Sequence, residues 1–184
     1  MTTSLFGSSV KRREDPRLIQ GTGRYVDDIK LAGMLHVQLV RSPFAHAKIA
    51  GIDCSAAEAL EGVVAVFTGE QVKDEQGSVP CGWVVPDTKE VAHPPIAIDT
   101  VRFVGDIVAA VVATSPDVAA DAVRLVDVDY ETLPVVVHTG DAAKPGAPQL
   151  HSDAPGNVAF EWEVAGGDVE AAIGAAEVLS LIHI

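Results

Sequence analysis

Cysteine is nearly missing from this chain of 184 residues: two occur, Cys54 and Cys81, with no Cys-x-x-Cys pair. That scarcity excludes a disulfide framework and argues against a zinc or iron–sulfur site built from this chain alone. Long apolar runs are missing too. None approaches the ~18 residues of a membrane span, so no span is expected. The start, Met1 through Arg13, has no apolar h-region of a secretory signal, and the expected compartment is the cytoplasm. Positive charge is scarce after the first thirty residues. Residues 1–30 carry a net +2, whereas residues 31–184 hold seven Lys/Arg against 22 Asp/Glu, for an overall −13. A body this acidic repels phosphate backbones and anionic lipid, so no nucleic-acid partner is expected.

What remains is 48% hydrophobic and 21% charged. This is the make-up of a soluble globular protein with a real core. The length suits one domain, or one domain and a piece of the next. No internal repeat or low-complexity tract interrupts it.

Lys11-Arg-Arg-Glu-Asp-Pro-Arg17 reads as a polar arm. Pro16 is expected to keep a helix from running through it, because proline pushes the preceding Asp15 out of the α region. Leu35, Val37 and Leu39 alternate with His36, Gln38 and Val40, the pattern of a half-buried strand. Lys48–Asp53 is a second strand. Ser55-Ala-Ala-Glu58 has the spacing of a capping box, in which hydroxyl and carboxylate each satisfy a free backbone N–H. Gly62 stops that short helix, and Val63–Phe67 reads as a buried strand. Pro80, Gly82, Pro86, Pro94 and Pro95 break any long element over residues 73–95. Val101–Val104 and Ile107–Ala113 read as strands around Gly105-Asp106. Ser115-Pro116-Asp117 opens the clearest helix, with a serine N-cap, proline at the first position and an acid in the first turn. Val118, Ala119, Ala122, Val123 and Val126 share one face of it. Val126–Tyr130 returns as a strand. Strands outnumber helices, and the helices come singly, which predicts an α+β domain over about residues 20–136.

Chemistry is harder to find. Gly21-x-Gly23 lacks the third glycine of a dinucleotide fingerprint and has no strand before it or helix after it, so it reads as a turn. There is no Gly-x-x-x-x-Gly-Lys and no Gly-x-Ser-x-Gly. His36 and His46 lack a third ligand at a sensible offset and read as structural histidines. Asp127, Asp129 and Glu131 share one strand face, with no histidine nearby, and read as a solvated face. Asp27 and Asp28 point to opposite sides if extended, which favours capping over acid–base work. Cys54 and Cys81 have no basic neighbour to lower a thiol pKa and read as small buried hydrophobes. The expected set of catalytic, cofactor-binding and metal-binding residues is therefore empty.

Ordered motifs nevertheless run through the chain. They are Arg12-Arg13-Glu14-Asp15-Pro16, Gly21-x-Gly23-Arg24-Tyr25-x-Asp27-Asp28-Ile29, Gly33-Met34-Leu35-His36 and Val40-Arg41-Ser42-Pro43-x-Ala45-His46-Ala47. Glu61-Gly62-Val63, Val101-Arg102-Phe103-Val104-Gly105, Ala119-x-x-Ala122 and Val128-Asp129-Tyr130-Glu131-x-Leu133-Pro134 follow. In this order they resemble the start of the large, molybdopterin-binding subunit of the molybdenum hydroxylases, the xanthine dehydrogenase, aldehyde oxidase and carbon monoxide dehydrogenase family. The Arg12-x-Glu14-Asp15-Pro16 opening leans toward the branch with separate subunits.

The resemblance implies an N-terminal arm (1–19), an α/β hammerhead domain (20–136), a Gly- and Pro-rich linker (137–157) and the truncated start of a molybdopterin-binding domain (158–178), whose residues read as an opening strand over 158–164 and then an Ala-rich helix. It also implies an enzyme that hydroxylates aldehydes, purines or heterocycles with water, or oxidises carbon monoxide, at a molybdenum–molybdopterin centre. Iron–sulfur clusters and FAD would sit on a small and a medium partner subunit. The family's molybdopterin loops and catalytic glutamate lie beyond the hammerhead, so the resemblance carries no catalytic residue onto this chain. A free-standing hammerhead-like interaction module is the alternative. The last six residues, Leu179-Ser-Leu-Ile-His-Ile184, read as the translation of a sequencing adapter (CTG TCT CTT ATA CAC ATC), an adapter-derived tail, with a native β-strand as the alternative, since Leu-Ser-Leu-Ile has a strand pattern.

Overall fold

The computed structural model of the chain describes residues 5–180. The arm carries one turn of helix, α1 (Asp15–Ile19), and a 3-10 turn at Val26–Asp28. The body has strands β1 (His36–Arg41) and β2 (Ala47–Asp53), helix α2 (Ser55–Glu58), strands β3 (Val63–Thr68), β4 (Thr100–Val101) and β5 (Ile107–Ala113), helix α3 (Pro116–Val123) and strand β6 (Asp127–Thr132). Two short helices follow, α4 (Thr139–Ala142) and α5 (Val169–Ala175), with a 3-10 turn at Pro155–Asn157 between them.

The strands form two antiparallel sheets, one ordered β1-β5-β3 and the other β4-β2-β6. β5 is central to the first, and the continuous apolar run Ile107–Ala113 suits that place. Val108, Ala109, Val111 and Ala113 are fully buried, and each buried valine contributes roughly 1.5–3 kcal/mol. Ala47 and Val101 of the second sheet join Val40, Val66 and Val111 of the first in one core. α3 packs on β1 and β5. Its small buried residues, Ala119 and Ala122, allow a close approach. The Ser115 hydroxyl accepts the Val118 N–H at 3.2 Å, the predicted N-cap.

Two glycines are required by close contacts. Gly62 turns from α2 into β3 with φ +93°, and a Cβ there would meet Thr114 Oγ1 at 3.0 Å. At the end of β3, a Cβ on Gly69 would lie 2.0 Å from the Ala97 carbonyl oxygen. Only hydrogen fits there.

The α+β class holds, and several local expectations are corrected. Pro16 does not exclude a helix; it sits in the first turn of α1, where its missing N–H costs nothing. Residues 102–104 are not strand, and β4 is only Thr100–Val101. In β1 the core residue is Val40, while Leu35 and Val37 are exposed. β3 is an edge strand with only Val66 buried. The capping box at Ser55 does not form. Asp53 instead accepts the Ser55 N–H at 2.9 Å, and hydrogen bonding from the Ser55 side chain first, then from its backbone N–H, holds the Asp53 carboxyl below its ordinary pKa. No strand forms over residues 158–164, which have no partner strand. Of the terminal tail, residues 179 and 180 are coil, and residues 181–184 lie outside the described residues.

Candidate functional site

β4 leads into β5 through Arg102-Phe-Val-Gly-Asp106. Gly105 takes φ +94°, and the turn closes on itself when Asp106 Oδ2 accepts the Arg102 N–H at 3.0 Å. The Arg102 side chain has partners of its own. Its Nε donates to the Leu150 carbonyl at 3.0 Å and its Nη1 to the Thr100 carbonyl at 3.2 Å. A cavity of about 210 Å³ opens beside it, walled by His93, Pro94, Ala97, Phe103, Asp106 and His151 among others. His93 stacks edge-on against Phe103, with ring centroids 5.8 Å apart.

Burial, with Arg102 and His93 nearby, lowers the His151 pKa, so this imidazole is neutral near pH 7. Asp106 is buried. On its far side, Ser42 donates its N–H to the Asp106 carbonyl at 2.8 Å. Burial raises the Tyr130 pKa, a hydrogen bond with Ser42 offsets this in part, and the Asp106 charge adds to the rise. The cluster holds one guanidinium, two imidazoles and one carboxylate that accepts from the backbone of its own turn. It contains no nucleophile paired with a base. Its chemistry is that of a tie between segments.

The residues weighed from sequence lie elsewhere, apart from His46, which is buried near His151. His46 Nδ1 is 2.8 Å from the Pro134 carbonyl and donates to it as a structural histidine. His36 is half-buried on β1. Asp127, Asp129 and Glu131 are exposed on β6, and Lys48 lies 3.8 Å from Glu131. Asp28 Oδ2 accepts the Tyr25 N–H at 2.8 Å, a capping role. Cys54 is half-buried, and burial, with Glu58 and Asp53 close by, pushes its thiol pKa up. Cys81 is exposed rather than buried. Its thiol donates to the Trp83 carbonyl at 3.0 Å. No group of three or more His, Cys, Asp or Glu among the described residues is placed to hold a metal ion.

Sequence reasoning missed Arg102, Asp106 and His151. The one signal was Gly105-Asp106, a positive-φ glycine followed by an acid, which is the composition of a self-bonded turn.

Two small antiparallel sheets over one core, with single helices between strand groups, define an α+β domain. Residues 20–134 match the aldehyde oxidase and xanthine dehydrogenase a/b hammerhead domain, and the chain belongs to that family. It is 37% identical over 185 residues to the nicotine 6-hydroxylase large subunit of Paenarthrobacter nicotinovorans, covering 100% of this chain and 22% of that protein. It is 45% identical over 144 residues to the carbon monoxide dehydrogenase large chain of Hydrogenophaga pseudoflava, covering 78% and 17%. Quinoline 2-oxidoreductase from Pseudomonas putida 86 superposes with a TM-score of 0.70 at 45% identity, over 78% of this chain and 18% of its own. The chain thus spans about a fifth of the length of the relatives it matches. Among the described residues no helix is long and apolar enough to cross a membrane.

Proposed function

We propose that the chain is the hammerhead portion of the molybdopterin-binding large subunit of a cytoplasmic molybdenum hydroxylase, and that it acts there as scaffold. The observation that carries this reading is the match over residues 20–134 to the family's hammerhead domain, joined to relatives that are large subunits about five times as long. In the complete enzyme a molybdenum–molybdopterin centre would oxidise the substrate. Iron–sulfur and FAD subunits would be the partners of this one.

The residues of the Arg102 cavity do not fit the molybdopterin. Its phosphate calls for free N–H donors or unpaired cations. Here the Arg102 Nε and Nη1 already serve the Leu150 and Thr100 carbonyls, and the Asp106 carboxylate stands on the wall of the same cavity. No step of the oxidation is therefore assigned to this portion. The linker at 137–157 and the start of a further domain at 158–178 belong to the same proposal.

The first test is at the source DNA, where a reading frame continuing past Ile184 is expected. A stop codon there, flanked by unrelated genes, would overturn the reading in favour of a free-standing module. The second test supplies the purified polypeptide with cofactor. No stoichiometric molybdenum and no dye-linked oxidation of aldehydes, purines or carbon monoxide are expected. Tight molybdenum retention would contradict the scaffold role.

A further inference from the structure

The β1-β5-β3 sheet has two apolar faces, and this chain covers only one. Cross-strand partners share a face. Gln38, Val111 and Val66 align across the strands, as do Val40, Ala109 and Thr68, and this face holds the core residues Val40, Val66, Ala109 and Val111. On the other face Val37 aligns with Val112 and Ala65, and Leu39 with Ala110 and Phe67. All six are apolar, yet Val37 is 57% exposed, Phe67 is 43% exposed, and the four others are only half-buried. A strand that is apolar on both sides is the pattern of a sheet buried on both sides.

We propose that this outer face is covered, in the whole large subunit, by a complementary apolar surface of the subunit's own remaining polypeptide. The inference rests on the large-subunit reading above. Length supplies the occupant: the relatives carry about four-fifths of their chain beyond the part matched here. Charge argues against the other candidates. Two copies at −13 each repel, and the six residues hold no charge to pair across a dimer. An anionic lipid surface meets no lysine or arginine among them.

The test places Val37→Lys and Phe67→Lys in the full polypeptide encoded at the locus and, separately, in the 184-residue chain. Gln38→Lys is the control, since it is exposed, adjacent and on the opposite face. A lysine forced under a packed surface is strongly unfavourable, so the yield of soluble full-length subunit should fall at least about tenfold for Val37→Lys and Phe67→Lys. It should stay within about twofold for the control. In the 184-residue chain all three variants should melt with the parent.

A full-length product that tolerates both lysines would overturn the proposal while leaving the large-subunit reading intact. Unfolding of the 184-residue chain by the same lysines would also overturn it, since the face would then serve internal packing. So would a dimer of that chain abolished by Val37→Lys, since the occupant would then be a second copy. A stop codon after Ile184 would remove both the reading and the occupant.

Discussion

Between β1 and β6, ten buried side chains make one core; over residues 137–178, Ala154 is the only buried side chain. The second region is ordered by polar bonds instead. Asn157 Nδ2 donates to the Ala142 and Pro148 carbonyls at 2.9 and 2.8 Å, and its Oδ1 accepts the Leu150 N–H at 2.9 Å. Gln149 Nε2 donates to the His151 and Ala154 carbonyls, both at 2.6 Å. Two cations of the first region reach across: Arg102 to Leu150, and Lys89, whose Nζ donates to the Val158 carbonyl at 3.2 Å. Each such bond adds a net of about 1 kcal/mol, against roughly 1–2 kcal/mol of backbone entropy per ordered residue. Hydrogen bonds can choose a conformation for the second region, but burial in the first must support it. The first region should fold as a unit and the second should depend on it.

The sharpest break falls at Gly69. A Cβ there meets a backbone carbonyl oxygen rather than a side chain that can swing away, so β3 or the Ala97 segment has to move. Gly69→Ala is expected to cost roughly 3 kcal/mol, read as a lowered urea midpoint. An unchanged midpoint would show that the two segments yield freely.

Val111→Ala comes next. The side chain is fully buried at the centre of β5, and the lost burial with the cavity left behind predicts about 2 kcal/mol. Because the second region depends on the first, amide exchange in α5 should speed up along with that in β5. If α5 keeps its protection while β5 loses it, the dependence is wrong.

The strands and α3 were legible because they are local. Ser115-Pro116-Asp117 carries its cap, its proline and its acid within three residues, and the Ser115 bond forms as expected. Which face of a strand is buried was not legible where both faces are apolar. Val37 and Val40 look alike in sequence, and only the pairing to β5 separates them. Ser55 was misread because an acid two residues earlier, Asp53, reaches the same backbone first. The Arg102 tie could not be seen at all. It spans 48 residues to a carbonyl, and a carbonyl has no signature in sequence. The match over residues 20–134 came from ordered motifs, although no single one of them carries chemistry.

Arg102 tests the junction between the two regions. Arg102→Gln removes the bond to Leu150 but leaves the backbone N–H that Asp106 accepts. Global stability should change by less than about 1 kcal/mol, since the side chain is only half-buried. Limited proteolysis should nevertheless cut several-fold faster across residues 145–156, and α5 should exchange faster than α3 in parent and variant alike. A fall in the urea midpoint as large as that of Val111→Ala would show that the two regions are one cooperative unit.

The smallest effect concerns pH. His151 belongs to the second region but faces the cavity of the first, where burial and the charges of Arg102 and His93 lower its pKa below the ordinary 6.5. A histidine with a lowered folded pKa binds its proton more weakly in the folded state than in the unfolded one. Well above pH 6.5 both states are neutral and the group contributes no pH dependence; as pH falls through that value, the unfolded state gains protons first and stability declines. His151→Gln should flatten that decline, so the stability difference between parent and variant should shift in the variant's favour on moving from pH 7.5 to pH 5.5. Asp53 and the other carboxylates are common to both proteins and cancel in the difference. A difference that does not change with pH would mean that His151 is as free to take a proton in the folded chain as in the unfolded one, and that the second region does not close on the cavity in solution.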